Sequence, residues 1–153
     1  MSIYMDKLKN KYVIGTHVMW FEIEMYADFI DGMVNLLETV ENKENVTIDL
    51  CFNMLQHFEK VDTEKIKKHE LLIKFKKGVA TLESMGFVVN HEIKDGDEFY
   101  FHTDYRRDLN YNYCKKVDFV MWGETDSFFP KEGLQALESL SKYTDEQNIH
   151  RYI

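Results

Sequence analysis

Segments typical of β-strands alternate with segments of helical periodicity along most of the chain. Runs rich in β-branched and apolar residues predict strands at residues 12–20, 46–52, 87–93 and 117–122. Each is followed by a stretch in which apolar residues recur every three or four positions, as they do on one face of a helix. This alternation predicts an α/β protein, a three-layer αβα sandwich whose sheet is mostly parallel.

The first two predicted helices are the longest. Apolar residues from Met25 to Val40 follow helical spacing and predict a helix of about four turns. The second helix is expected to begin at a cap formed by Asp62 or Thr63 and to end at Gly86, a residue type favoured just past a helix. Both are long enough to cover one face of a sheet.

Two further helices are predicted in the second half of the chain. Asp104 is placed to cap a helix that runs to about Lys116. Pro130 suits the first turn of the other, which carries regularly spaced leucines. The residues after Lys142 are polar, so we expect one domain over the whole chain, with a core of about residues 12–141 and a flexible C-terminal tail.

The composition is that of a folded domain. Of 153 residues, 44% are hydrophobic and 30% charged, and the net charge of -8 argues against a partner that is nucleic acid. The N-terminus lacks the apolar core of a secretory signal, and no stretch has the roughly 18 apolar residues of a membrane span. Cys51 and Cys114 are expected to be buried free thiols, so a soluble cytoplasmic protein is predicted.

The loops after the predicted strands are where a ligand site is expected, because parallel sheets bind ligands beyond the carboxyl ends of their strands. These loops comprise residues 16–22, Asn53 and its neighbours, residues 96–107 and residues 123–130. Each contains side chains that can take part in binding, and they are considered in turn below.

Two carboxylates, Glu124 and Asp126, stand one residue apart directly after the fourth strand. At a tight turn they can converge and share a hard cation such as Mg²⁺ or Mn²⁺, with water and ligand phosphates completing the shell. The alternative interpretation is a polar loop in which Ser127 or Asp126 caps the next helix.

Two adjacent arginines, Arg106 and Arg107, lie near the start of the third helix. Beside a cation site they can steady a diphosphate through charge-assisted hydrogen bonds. The alternative is that both pair with Asp104 and Asp108 on a solvated helix face.

The segments after the first two strands offer candidates for a nucleoside. Trp20 or Phe21 can stack on a base and Glu22 can accept a hydrogen bond from a ribose hydroxyl, although a core tryptophan and a helix N-terminal carboxylate explain them equally. Asn53 can read a base edge through its amide, or it can stabilise its own turn.

The order of these features is more specific than any one of them. The sequence DFVMWGETDSFFP at residues 118–130 follows an arginine-bearing helix and resembles the acidic motif of GT-A glycosyltransferases, especially the family 2-like group. The resemblance covers about residues 12–141, although its specific part lies in the last third. It implies the nucleotide-binding half of the GT-A fold.

The resemblance also implies a reaction of the hexosyltransferase type. Glu124 and Asp126 would hold Mn²⁺ or Mg²⁺ against the diphosphate of a UDP- or GDP-linked sugar, which is transferred to an acceptor hydroxyl. Two residues are expected to contact the diphosphate, Arg106 and Arg107. Three are expected to contact the nucleoside: Thr16, Glu22 and Asn53.

The chain departs from the family pattern in four ways. Glu124 stands where the first aspartate of the motif is usual, and the first strand is not followed by the usual proline-containing segment. Either Asp49 or Asn53 can occupy the position that meets the base. The acceptor-side half, which carries the family's catalytic base, has no obvious counterpart. The alternatives are a fragment that lacks its C-terminal half, a subunit that depends on a partner chain and a degenerate binder, and acceptor and base are left unassigned.

Two other classes fit the same residues. One is a non-catalytic α/β module that binds a partner chain through its aromatic surface, since 14% of the residues are aromatic. The other is a nucleotidyltransferase, which shares the metal and the nucleotide but releases pyrophosphate from a nucleoside triphosphate.

Overall fold

The computed structural model describes residues 7–54, 67–96, 98–127, 129–130 and 132–147. Within them, four strands alternate with four α-helices, and a short 3₁₀ turn, Trp20–Glu22, follows the first strand. The elements in chain order are β1 (Tyr12–Met19), α1 (Ile23–Leu37), β2 (Val46–Asn53), α2 (Lys68–Ser84), β3 (Val88–Lys94), α3 (His102–Tyr113), β4 (Phe119–Gly123) and α4 (Gly133–Gln147).

All four strands are parallel, in the order β3-β2-β1-β4. The chain moves from β1 to β2 to β3 in one direction and then returns past all three to place β4 on the other side of β1. The reversal of strand order therefore falls between β1 and β4, where Thr16 stands opposite Gly123 in the register. In open α/β sheets such a switch point opens a crevice for ligands at the carboxyl edge.

One face of the sheet carries most of the hydrophobic core. Alternate strand residues point to opposite faces, so a single face collects every second side chain of each strand. On this face the strands pack against α1, α2 and the start of α4, and Leu134 is fully buried there. The largest buried side chains of this layer include Tyr12, Ile14, Phe52, Tyr26, Phe75 and Leu36.

The opposite face is covered by α3. Val13 and Cys51 from the sheet pack against Tyr105 and Leu109 from the helix. Gly15 allows this close approach, because a Cβ at that position would lie 2.7 Å from the Leu109 side chain. Helices thus lie on both faces, and the predicted α/β class with a parallel sheet is confirmed.

Several predicted boundaries change. Helix α1 spans Ile23–Leu37 and therefore begins and ends before the predicted stripe from Met25 to Val40. Its buried face also differs, because Met25 is 42% exposed whereas Tyr26 is buried. Asp104 is not the N-cap of α3: it lies one turn inside, and its carboxylate accepts a hydrogen bond of 2.9 Å from the backbone N–H of Phe101. Helix α3 also ends at Tyr113 rather than near Lys116.

The C-terminal helix differs from prediction at both ends. It begins at Gly133, three positions after Pro130, and it continues to Gln147 across the residues expected to form a tail. The predicted caps at Asp62 and Thr63 lie outside the described residues, and α2 is described from Lys68 onward.

Two simpler predictions have clear outcomes. Cys51 and Cys114 are both free, but only Cys51 is buried and Cys114 is exposed. Among the described residues, no helix combines the length and the apolar character that crossing a membrane requires.

Candidate functional site

The switch point between β1 and β4 brings two loops to the same edge of the sheet. Strand β1 runs into the turn Trp20–Glu22, and β4 runs into residues 124–127. The strands are adjacent and parallel, so both loops start at the same level. This arrangement places the predicted nucleoside segment beside the predicted acidic motif.

Hydrogen bonds tie these two loops together. The Thr125 hydroxyl donates to Glu22 Oε2 over 3.0 Å, and the same carboxylate oxygen accepts from the Met19 backbone N–H over 3.2 Å. The Thr16 hydroxyl donates to the carbonyl of Gly123. Thr16 is fully buried, so its hydroxyl links the strands, while Glu22 is partly exposed and lies between the loops.

The acidic motif forms a turn whose carboxylates face solvent. The Ser127 backbone N–H donates to the Glu124 carbonyl over 2.9 Å, which closes the turn, and Thr125 is buried within it. Glu124 and Asp126 are exposed. Because α4 begins only at Gly133, neither Asp126 nor Ser127 caps it, so the capping part of the alternative interpretation is wrong, whereas its polar loop remains.

The residues of the turn suit a cation only in part. Carboxylate oxygens are the ligands that Mg²⁺ and Mn²⁺ prefer, and Glu124 and Asp126 present them at the surface. No group of three or more acidic, histidine or cysteine side chains able to hold a metal occurs in the described part of the chain. A cation here would therefore take its remaining ligands from water and from a bound anion.

Arg106 points toward the acidic turn. Its guanidinium lies 3.5 Å from the centre of the Trp122 ring, and its Nη2 atom is 3.9 Å from Glu124 Oε1. Stacking on the indole holds the guanidinium in place while its side chain stays about half exposed, at 51%. Arg106 is thus a preorganised positive charge at the mouth of the site.

Arg107 points elsewhere. It pairs with Asp104 over 3.3 Å and with Asp108 over 3.1 Å, and its side chain is 67% exposed. Neighbouring positions on a helix project about 100° apart, so the two adjacent arginines leave α3 in different directions. The structure brings Arg106 to the acidic turn and leaves Arg107 on the solvated face.

The indole of Trp122 has a second relevant feature. Its Nε1 atom is buried and has no hydrogen-bond partner among the described residues. A buried donor without an acceptor is destabilising, because it has lost its water without replacement. The same ring that supports Arg106 thus retains an unused donor.

The two candidates on β2 have different surroundings. Asp49 lies in mid-strand and accepts hydrogen bonds from the hydroxyls of Tyr105, at 2.7 Å, and Tyr113, at 2.9 Å. Burial raises the pKa of this carboxyl, and the two tyrosines oppose that shift. Asp49 therefore anchors α3, whereas Asn53 lies at the carboxyl edge, fully buried.

Sequence reasoning missed a pair of histidines at this edge. His17 Nδ1 lies 3.0 Å from His102 Nδ1, and His17 stacks on Tyr105 with ring centres 5.4 Å apart. Burial and the neighbouring His102 lower the pKa of His17 to about 4. No spacing pattern connects two residues 85 positions apart, and only the position of His17 near a strand end indicated this role.

A cavity of about 380 Å³ opens beside the turn after β1. It is lined on one side by Met19, Phe21 and Glu22, and on the other by residues 100–103. Phe21 is 59% exposed and Phe101 is 50% exposed. This space, called the β1 cavity, combines aromatic rings with a carboxylate and an imidazole, and none of its described lining residues is a lysine or arginine.

No protein-family model matches this chain, and no curated protein is similar enough in sequence to count as a relative.

Proposed function

We propose that this chain is the nucleotide-binding part of a GT-A glycosyltransferase of the family 2-like group. One observation carries the proposal: the Thr125–Glu22 hydrogen bond joins the loop of the acidic motif to the turn after β1 at the switch point of a parallel sheet. Ligands of α/β sheets bind at such points. The substrate would be a UDP- or GDP-linked sugar.

The charges of the site suit a diphosphate bridged by a cation. Glu124 and Asp126 would bind Mn²⁺ or Mg²⁺ through their exposed oxygens. Arg106, held on Trp122, lies near enough to Glu124 to contact the same diphosphate. When bound, the cation supplies stabilisation of the negative charge that develops on the departing diphosphate.

The β1 cavity suits the nucleoside. It adjoins Glu22, whose carboxylate oxygens can accept hydrogen bonds from ribose, and it presents aromatic rings to a planar base. The buried Asn53 donates to the backbone carbonyl of Tyr100, which lines this cavity, and the buried Thr16 links β1 to β4. Sugar transfer follows when an acceptor hydroxyl attacks the anomeric carbon, the bond from that carbon to the diphosphate breaks, and the nucleoside diphosphate leaves.

The second candidate function, a module that binds a partner chain, is favoured by a different observation. Phe99 is 80% exposed and stacks on Phe101, with ring centres 6.1 Å apart. Exposed stacked aromatics are typical of surfaces that another chain covers. Such a module would associate with its partner without nucleotide or metal.

Titration calorimetry with UDP and GDP, with and without Mn²⁺, separates these candidates. The proposal predicts metal-dependent binding of at least one nucleotide by the wild-type chain and its loss in Asp126→Ala. Absence of binding at millimolar nucleotide with metal present would refute it. Release of pyrophosphate from a nucleoside triphosphate would instead assign a nucleotidyltransferase.

A further inference from the structure

The buried His17, the partly exposed His102 and the buried Asn53 form a chain of hydrogen bonds whose direction can be deduced. The Nδ2 atom of Asn53 lies 2.9 Å from the backbone carbonyl of Tyr100, which can only accept. This contact identifies Nδ2 as the amide nitrogen. The same nitrogen lies 3.0 Å from Nε2 of His17, so it donates its second hydrogen there.

The protonation of His17 follows from that bond. Its Nε2 atom accepts, so the single proton of the neutral ring is on Nδ1. Burial keeps this imidazole neutral near pH 7, since its pKa is lowered to about 4. The Nδ1–H therefore donates across the 3.0 Å contact to Nδ1 of His102.

The tautomer of His102 follows in the same way. Its Nδ1 atom is the acceptor from His17, so the proton of its ring is carried by Nε2. His102 is partly exposed and lines the β1 cavity. The hydrogen bonds from Asn53 through His17 thus place the ring proton of His102 on Nε2, and His102 is one of the residues that line the cavity.

We propose that His102 is a ligand-binding residue whose Nε2–H donates to a carbonyl oxygen of the nucleobase in the β1 cavity, and that His17 and Asn53 hold it in this tautomer. The inference rests on the proposed function for the presence of a nucleotide. The cavity favours a base over phosphate, because its described lining has aromatic rings and a carboxylate but neither lysine nor arginine. Uracil and guanine carry a suitable carbonyl oxygen, and adenine carries none.

The tautomers can be measured on the full chain without any ligand. A long-range ¹H–¹⁵N correlation spectrum, assigned with single histidine variants, distinguishes the protonated nitrogen of each ring. We expect His17 to be protonated on Nδ1 and His102 on Nε2. The reverse arrangement, or a mixture of tautomers at either ring, would overturn the inference.

Binding of UDP, GDP and ADP with Mn²⁺ tests the role of the donor. His102→Leu removes it and should weaken UDP or GDP binding about tenfold while changing ADP binding little. His102→Gln keeps an acceptor and a donor on one side chain, and should restore most of the affinity. His91→Leu, at an exposed histidine of β3, is the matched control.

The outcomes separate this inference from the proposed function. If the wild-type chain binds none of the nucleotides, both are refuted. If it binds UDP or GDP and His102→Leu leaves that affinity unchanged, or lowers the affinity for ADP equally, only the role of His102 is refuted. Should His102→Leu fail to fold, the glutamine variant and the tautomers of the wild-type chain still test the role of His102.

Discussion

The Thr125 hydroxyl donates a 3.0 Å hydrogen bond to the Glu22 carboxylate, across 103 positions of sequence. Thr125 is 4% exposed whereas Glu22 is partly exposed, so this bond lies at the boundary between the interior and solvent. It connects the turn after β1 with the acidic motif after β4, the two loops that sequence analysis assigned to different parts of one ligand. The spacing between these loops is therefore set by a specific contact.

Removal of the hydrogen bond between Thr125 and Glu22 should destabilise the folded chain. Thr125→Val keeps the shape of the side chain and deletes the donor, which should lower the free energy of unfolding by about 1.5 kcal/mol, because the acceptor is a carboxylate. Chemical denaturation measures the change, and Thr125→Ser, which keeps the hydroxyl, is the control. Equal stability of the valine variant and the wild type would show that the bond contributes nothing.

The two neighbouring arginines should differ in their effect on nucleotide binding. Arg106→Leu removes the guanidinium that lies on Trp122 near Glu124, and should weaken metal-dependent UDP or GDP binding about tenfold. Arg107→Leu removes an exposed charge that pairs with Asp104 and Asp108, so little change is expected. Calorimetry measures both, and similar losses in the two variants would contradict the assignment of Arg106.

His17 should make stability dependent on pH. Its folded pKa of about 4 lies below the unfolded value of 6.5, so between these values the unfolded chain binds more protons. Stability is thus complete above about pH 6.5 and decreases by roughly 3 kcal/mol as the pH falls toward 4. Denaturation across this range should show that His17→Gln, which does not titrate, lacks this contribution. Parallel pH profiles for both proteins would contradict the buried neutral state.

Two glycines test the packing of α1 against α2. A Cβ at Gly78 would lie 2.6 Å from Cζ of Tyr26, whose hydroxyl donates to the Phe75 carbonyl over 2.8 Å. Gly78→Ala should therefore destabilise the fold by about 1–3 kcal/mol through overpacking. Gly96→Ala, where nothing lies within 4 Å, should have a small effect. Chemical denaturation compares them, and equal effects would contradict this contact between the helices.

Much of the fold could be predicted from local sequence. The β-branched runs of β1 and β2 and the apolar stripes of the helices indicate their own structure, because burial on a parallel sheet leaves strands almost wholly apolar. The buried face of α1 was predicted less accurately at the start of the helix. Met25 continues the apolar spacing, but Tyr26 is the residue that packs against α2. The spacing of apolar residues indicates which face of a helix is buried, but it does not fix the exact centre of that face.

The site was predictable only where it depended on one loop. The acidic turn could be predicted from two carboxylates that follow a strand. Its separation from α4 could not, because it depends on where that helix begins. Which arginine faces the turn depends on the rotation of α3 about its axis, which adjacent residues do not reveal. The His17–His102 contact arises from the return of the chain from β3 to β4, a tertiary event without a local signal.

The central claim is that Glu124 and Asp126 bind a cation together with a nucleotide, and paramagnetic broadening by Mn²⁺ tests it most directly. In ¹H–¹⁵N spectra of the full chain, substoichiometric Mn²⁺ with UDP or GDP should broaden the amide signals of residues 123–127 most strongly. This broadening should weaken without nucleotide and disappear in the Glu124→Gln, Asp126→Asn double variant. Broadening centred elsewhere, or independent of nucleotide and of both carboxylates, would contradict the claim.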